Sequence, residues 1–585
     1  MQALEIYQEW LRESFFDSQT KAELRLLAAD EAEIEDRFYK DLDFGTGGMR
    51  GRMGAGTNRI NVYTVRKATQ GLANDICLKK EESKGVVIAF DSRKNSDLFA
   101  REAAGVLAAN GIRAYLFPSL RPTPLLSFAV RYLQAAAGIV ITASHNPPAY
   151  NGYKVYGSDG AQITAPRDRE IIEQVRAVRS QAEVKWLDET TARESGLLRD
   201  VPAEVDEAYY AAVKALLLDP VMVNDNADKL TIVYSPLHGA GYQPVLRLLA
   251  DLGFVDLHVV REQAEPDGDF PTVDSPNPED GRAFALALEL AGQVKADVVL
   301  ATDPDADRLG VYAPEMLADR EAAAQPEPTY RRFTGNMSAV LVLDYILRKR
   351  SEQQRLPENG AVLTTIVSGK MGAVMAADYR LPVFESLTGF KYIGEKIHRF
   401  EENGLYEYVF GFEESNGCLI GTYARDKDAV SAVMAVCEVA LEAKLAGHSL
   451  CQRMDALFEH YGYYKEDLLS VTLEGQKGAT LIRQLLEEIR RQIPMLIGGL
   501  RVLEFRDYSV DRCQDMLSGQ CTPTGLPTSD VLYFRLEQGA WCCVRPSGTE
   551  PKIKFYLGVK GNSGEEAEQS LKSLREGVEA WLPNA

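Results

Sequence analysis

Ala137-Gly138-Ile139-Val140-Ile141-Thr142-Ala143-Ser144-His145-Asn146-Pro147-Pro148 is the stretch on which the fold turns. Five small or branched apolar residues run directly into a polar loop closed by Asn-Pro-Pro, as in a buried strand that ends in a tight turn. The same grammar appears on its N-terminal side in GVVIAFDSR (85–93) and RAYLFPS (113–119), with the helix-period stretch FAREAAGVLAAN (99–110) between them. Strand, polar loop and helix in repeated alternation predict α/β layers with a largely parallel or mixed sheet.

Further along the chain the pattern begins again. A second block starts near KLTIVYSPLHGAG (229–241) and includes ADVVLATDPDADRLGVY (296–312). A third follows the Pro/Glu/Ala-rich stretch 313–332 and contains AVLTTIVSGK (361–370) and YVFGFEESNGCLIG (408–421). The end of the chain differs: an amphipathic helix (477–493), the strands VLYFRLE, AWCCVRPS and KIKFYLGV, then a closing helix predict a small α+β domain. The expected division is 1–205, 206–318, 319–455 and 456–585.

Bulk composition narrows the function. At roughly 100–200 residues per domain, 585 residues make several domains. Hydrophobic residues at 45% and charged residues at 26% are ordinary for globular chains with real cores. The formal charge of −20 argues against non-specific binding to nucleic acid or to an anionic membrane. An anionic substrate would need a local basic cluster. Eight cysteines without a CxxC spacing read as reduced core residues, not as a disulfide or zinc framework. The opening MQALEIYQEWLRESFF is no signal peptide, and no apolar run reaches the roughly 20 residues that span a bilayer. These features predict a soluble, cytoplasmic protein, a monomer or weak oligomer.

Four loops carry chemistry. Ser144, at the end of its buried strand, sits where α/β folds place ligands, and His145 or Lys154 could activate its hydroxyl. Asp303-Pro304-Asp305-Ala306-Asp307-Arg308 follows the strand ADVVLAT. Its three carboxylates at alternate positions can converge on one hard cation, with waters or a phosphate completing the shell, which suits Mg²⁺ better than a closed Ca²⁺ cage. Gly411-Phe412-Glu413-Glu414-Ser415-Asn416-Gly417 offers acceptors and a donor to sugar hydroxyls, though alone it reads equally as a surface loop. Arg545-Pro546-Ser547-Gly548-Thr549-Glu550-Pro551-Lys552 combines a guanidinium, two hydroxyls and a glycine, the parts of a phosphate cradle. A nicotinamide-dependent redox reading fails because Gly45-Thr46-Gly47-Gly48 is not GxGxxG. A hydrolase reading lacks a positioned activator of water.

In this order, TASHNP, DPDADR, FEES and RPSGTEP resemble the four signature loops of the α-D-phosphohexomutase superfamily. The likeness extends over essentially the whole chain and includes Phe44-Gly45-Thr46-Gly47-Gly48-Met49-Arg50-Gly51, Pro236-Leu237-His238-Gly239 and Thr388-Gly389-Phe390-Lys391. Length and the segments GGMRGRMGAGTNRIN and RDKDAV (425–430) look closest to the long phosphoglucomutase branch, which also holds phosphopentomutases and glucose-1,6-bisphosphate synthases. The resemblance implies three similar α/β/α domains with mixed sheets and a smaller C-terminal α+β domain, four in all around a central cleft. It implies that Ser144 carries a phosphoryl group and that Asp303, Asp305, Asp307 and the phosphoserine hold Mg²⁺. The implied reaction interconverts glucose 1-phosphate and glucose 6-phosphate, with glucose 1,6-bisphosphate as primer and intermediate. Arg50 and Arg308 would neutralise the moving phosphoryl group, and His145 or Lys154 would be the base. Glu413 and Ser415 would read sugar hydroxyls. Arg545, Ser547, Gly548 and Thr549, joined by Lys391, would hold the other phosphate. Phe412 departs from the Gly-Glu that precedes Glu-Ser in many hexose enzymes, which leaves mannose or pentose phosphates as alternative substrates and a bisphosphate synthase as an alternative activity. A non-catalytic sugar-phosphate-binding protein is the alternative outside enzymes.

Overall fold

A computed structural model describes residues 2–45, 47–316, 329–473, 475–547 and 552–582. The chain divides into two compact units: residues 1–360 with 390–451, and residues 361–389 with 452–585. Among the described residues no helix is long and apolar enough to cross a membrane.

In the first unit the leading sheet runs, in spatial order, Gly48–Arg52, Tyr150–Gly157, Ala137–Ile141, Val86–Phe90, Ala114–Leu116 and Leu198–Asp200. The pairings from Ala137–Ile141 outward to Leu198–Asp200 are parallel, whereas Tyr150–Gly157 and Gly48–Arg52 are antiparallel additions on the other side. Val86–Ala89 and the whole of Ala137–Ile141 are buried, as expected of parallel strands covered on both faces. Helices Val62–Lys79 and Ser96–Ala109 supply one cover through Val65, Leu72, Ile76, Phe99, Ala103 and Leu107. The antiparallel register is close-fitting. Lys154 lies opposite Val140 on one side and Gly48 on the other, and Arg50 lies opposite Gly152. A Cβ at Gly48 (φ +143°) would come within 1.9 Å of the Tyr153 carbonyl oxygen, and one at Gly152 within 2.3 Å of that of Thr142. Only glycine fits at these two positions.

The second sheet repeats the plan. Leu257–Val259, Ile232–Ser235 and Val298–Thr302 are parallel neighbours, and Leu309–Pro314 then Tyr330–Phe333 add on antiparallel. In the third block the strand Glu407–Glu413 turns back on Gly417–Leu419, and helix Ala429–Leu445 is buried along most of its length. Ahead of all this, helices Gln2–Arg12, Ser18–Leu26 and Glu31–Phe38 form their own aromatic cluster of Tyr7, Trp10, Phe16 and Phe38 against Tyr63.

The second unit is built on an antiparallel sheet in the order Tyr463–Thr472, Lys552–Gly561, Trp541–Pro546, Leu532–Leu536, Leu500–Asp507, Arg512–Asp515 and Cys521–Thr522. Helices Gly475–Arg491 and Gly564–Glu579 cover one face through Ile482, Leu486, Leu574 and Val578. Residues 361–389 belong to this unit. One cluster ties them in: Lys370 is 2.6 Å from Glu385, its ammonium lies 5.7 Å and 5.3 Å from the ring centres of Tyr533 and Trp541, and Glu385 is 3.7 Å from Arg506.

No disulfide joins the cysteines among the described residues, and Cys437, Cys451, Cys542 and Cys543 are buried as expected. Cys521 is not: it is exposed, because it belongs to a two-residue edge strand.

Candidate active site

The strand Ala137–Ile141 delivers its polar loop to the C-terminal edge of the sheet. Thr142 Oγ1 accepts the Ser144 N–H at 2.7 Å, and Ser144 takes a left-handed backbone with φ +51°. For a residue with a Cβ this conformation costs about 1–3 kcal/mol and persists only where its surroundings enforce it. Arg93, 2% exposed, surrounds this turn: its guanidinium donates to the carbonyl oxygens of Ser144 (2.5 and 3.2 Å), Pro147 and Tyr150 (3.0 Å each) and Asn146. Ser144 Oγ donates to Asp303 Oδ2 at 2.7 Å and lies 3.2 Å from His145 Nδ1. Arg50 reaches the same loop through Asn146 Oδ1 at 2.9 Å.

Asp303, Asp305 and Asp307 are all buried, in the turn after Val298–Thr302. One carboxylate oxygen from each lies within 4.8 Å of the others. Asp303 Oδ1 accepts the N–H groups of Asp307 and Arg308, each at 3.1 Å, which closes the turn. Asp305 Oδ1 and Asp307 Oδ1 are buried with no hydrogen-bond partner. Two orphaned carboxylate oxygens in an all-oxygen cluster are what a hard divalent cation satisfies, so the donors fit Mg²⁺. Burial, then the charges of Asp305 and Asp307, push the Asp303 carboxyl well above the usual range. Burial acts on Asp305 too, but Lys154, 2.7 Å away, outweighs it and holds that carboxyl low.

Two ammonium groups sit on this cluster. Burial opposes the charge on Lys154, yet Asp305 and Asp307 keep its pKa above the ordinary lysine value. Lys427, on the segment leading into Ala429–Leu445, lies 2.8 Å from Asp307, 3.5 Å from Asp426 and 3.9 Å from Glu413. Burial, the largest influence, pushes Glu413 up to about 7 against the opposing charge of Lys427. Arg308 is held by Glu279 at 2.6 Å, with its Nε 3.8 Å from Asp307.

The structure therefore joins Ser144, His145, Lys154, Asp303, Asp305, Asp307, Arg308 and Glu413 in one set of contacts, with Arg50 attached through Asn146. Ser415 is half-buried in the turn that follows Glu413, and that turn is fixed by Asn416 bonding to and from Leu309. Lys391 lies in the first turn of helix Phe390–Asn403, its ammonium 5.0 Å from the Tyr392 ring centre. Phe412, which departs from the pattern of many hexose enzymes, lies inside the core. Strand alternation points it to the face opposite Glu413, where it is 1% exposed and stacks on Phe410 at 5.9 Å.

In the second unit, Arg545 lies near the end of Trp541–Pro546, opposite Lys554, and the Ser547 N–H donates to the Lys552 carbonyl at 2.6 Å. Gly548, Thr549, Glu550 and Pro551, like Thr46, lie outside the described residues. Sequence reasoning missed Arg93, Lys427, Glu279 and Thr123, whose hydroxyl donates to Asp305 at 3.0 Å. Arg93 stands in a strand-to-loop segment of the same grammar as Ser144, and Lys427 in the RDKDAV segment already noted for its resemblance.

Known proteins share the sequence and the fold. The sequence matches the family Phosphoglucomutase/phosphomannomutase, alpha/beta/alpha domain I over residues 41–182, domain II over 207–315 and domain III over 334–461. A curated phosphoglucomutase from Staphylococcus epidermidis is 35% identical over 558 residues, covering 95% of this chain and 96% of its own. One from Staphylococcus saprophyticus is 33% identical over 570 residues, covering 97% and 98%. Among solved structures, a putative phosphomannomutase from Thermus thermophilus shares the fold at TM-score 0.65, with 23% identity over 92% of this chain and 99% of its own. The open form of the Paramecium phosphoprotein pp63/parafusin does so at TM-score 0.66, with 18% identity over 93% and 94%. The chain belongs to the phosphoglucomutase/phosphomannomutase family of the α-D-phosphohexomutase superfamily, and it is an isomerase that transfers a phosphoryl group.

Proposed function

We propose that this enzyme is a phosphoglucomutase, which interconverts glucose 1-phosphate and glucose 6-phosphate through a phosphorylated Ser144 and a glucose 1,6-bisphosphate intermediate. The observation that carries the reading is the 2.7 Å contact of Ser144 Oγ with Asp303 inside a buried cluster flanked by two ammonium groups. The curated relatives named above bear the same activity in their names. Asp303, Asp305, Asp307 and a phosphoryl oxygen on Ser144 would hold Mg²⁺, which when bound supplies charge neutralisation to the equatorial phosphoryl oxygens.

The chain's own residues do the rest. The P–Oγ bond at Ser144 breaks as a P–O bond forms to the free sugar hydroxyl, and that hydroxyl's proton passes to a nearby base. His145, 3.2 Å from Ser144 Oγ, takes that proton and returns it to the serine oxygen as it leaves, while Lys154, kept as an ammonium by Asp305 and Asp307, adds fixed positive charge beside the transferred group. Lys427 and Arg308 lie where charge develops and add fixed positive charge in a site that excludes water. Glu413 and Ser415 accept from and donate to sugar hydroxyls in either orientation of the bisphosphate. Arg545, Ser547, Gly548, Thr549 and Lys391 bind the phosphate that is not reacting. The division into four domains at 205, 318 and 455 is part of this reading.

The test is initial rate on glucose, mannose and ribose 1-phosphates with Mg²⁺ and a trace of glucose 1,6-bisphosphate. A kcat/KM for glucose at least about tenfold above the others, roughly 1.4 kcal/mol of transition-state preference, is expected. A preference for ribose moves the enzyme to the phosphopentomutases.

A further inference from the structure

Arg93 plays no part in the chemistry described above, yet it is among the most thoroughly engaged side chains of the site. Its guanidinium is 2% exposed, and its Cζ lies 5.0 Å from the ring centre of the buried Phe270. Asp91, two residues earlier, is 3.5 Å from its Nε. Through Nε and both terminal nitrogens it holds four carbonyl groups between residues 144 and 150. A planar fork can bond to carbonyls in several directions at once, which a compact ammonium cannot. The segment that brings Phe270 also reaches the loop directly: Ser275 Oγ donates to the His145 carbonyl oxygen at 2.6 Å. That segment is itself fastened by His238, whose Nδ1 meets the Glu265 carbonyl at 3.1 Å and whose Nε2 meets Thr272 Oγ1 at 2.9 Å.

We infer that Arg93 is a positioning residue for phosphoryl transfer: together with Ser275 it holds the Ser144 loop in its left-handed turn and so aims Ser144 Oγ at Asp303. The inference rests on Ser144 being the phosphoryl carrier. The backbone at Ser144 is disfavoured by itself, and its carbonyl receives two of the guanidinium's hydrogen bonds. Without the fork, the loop relaxes and the oxygen leaves the line of transfer. In-line transfer is sensitive to displacements of about 1 Å, so kcat falls while sugar-phosphate binding, made by other groups, persists.

The test compares wild type, Arg93→Lys, Arg93→Ala and Ser275→Ala. Each is measured for kcat, KM, melting temperature and the rate at which glucose 1,6-bisphosphate labels the peptide containing Ser144. Arg93→Lys should lose about 10- to 100-fold in kcat and in labelling rate, with KM changed by less than about twofold. Millimolar guanidinium should restore part of the rate to Arg93→Ala, which a lost structural contact elsewhere would not permit. Arg93→Lys turning over and labelling at wild-type rates overturns the inference. If the Arg93 variants do not fold, Ser275→Ala decides: a several-fold loss in kcat at constant KM supports the inference, and an unchanged kcat overturns it. Wild-type enzyme that takes no phosphoryl group on Ser144 removes the proposed mechanism instead, a separate outcome read from the same labelling.

Discussion

Ser144, Asp305 and Lys427 show what a single residue does here and how far each could be read in advance. Ser144 and the three aspartates were legible because each motif is local: a few consecutive residues at the end of an apolar strand fix both identity and position. Lys427 was not, because its role exists only when a distant helix start is packed against Asp307 and Glu413, and no spacing in the chain reports that. The same holds for Arg93. Ser144→Ala should abolish turnover while calorimetry still detects sugar-phosphate binding; a variant that turns over at the wild-type rate ends the phosphoserine assignment. Asp305→Asn removes one of three carboxylates and also the partner that holds Lys154 at 2.7 Å. Its Mg²⁺ titration should shift upward by at least about tenfold together with a loss in rate. An unaltered titration would show that the cation is held elsewhere.

At the scale of elements, the repeated buried strand followed by a chemical loop was plain in the sequence, and the mixed sheets carry it out. What the pattern could not give was the partner of residues 361–389, since Lys370, Glu385 and Arg506 acquire their relationship only through folding. Helix Ala429–Leu445 offers a test of such long-range joinery. Its Glu438 is 2% exposed and accepts the N–H groups of Leu218 and Asp219 at 3.0 and 2.6 Å and the Tyr345 hydroxyl at 3.1 Å. Burial, the largest influence, pushes its carboxyl up to about 7 from an ordinary value of 4.5. The folded state therefore binds the proton more tightly than the unfolded chain. The resulting stability is fully present below the unfolded pKa and is lost as pH rises through about 7, a change on the order of 3 kcal/mol. Glu438→Gln should flatten the decline in melting temperature between pH of about 5 and 8. If the variant keeps the wild-type slope, Glu438 is not its source.

Across the whole molecule, a net charge of −20 must coexist with an anionic substrate, so binding depends on a few concentrated basic groups. Arg545, opposite Lys554 in the second unit, is proposed above as one of them. Arg545→Ala should mainly raise KM, by about 10-fold or more as expected for a lost charge-assisted pair, with a smaller effect on kcat. An unchanged KM would take the non-reacting phosphate away from that loop. Composition had announced this dependence, although it could not say which arginines meet it.

The ladder that joins Gly48–Arg52 to Tyr150–Gly157 and Ala137–Ile141 carries a consequence of another kind. The roles proposed for Arg50 and Lys154 depend on the rung each occupies, and a strand shifted by one rung turns every side chain to the opposite face. One residue added between 150 and 153 would leave every functional group in the chain and still present Tyr153 where the ammonium belongs. The information stored in this part of the gene is thus a count as much as a spelling, and a frame-preserving insertion there is more damaging than most replacements of the letters themselves.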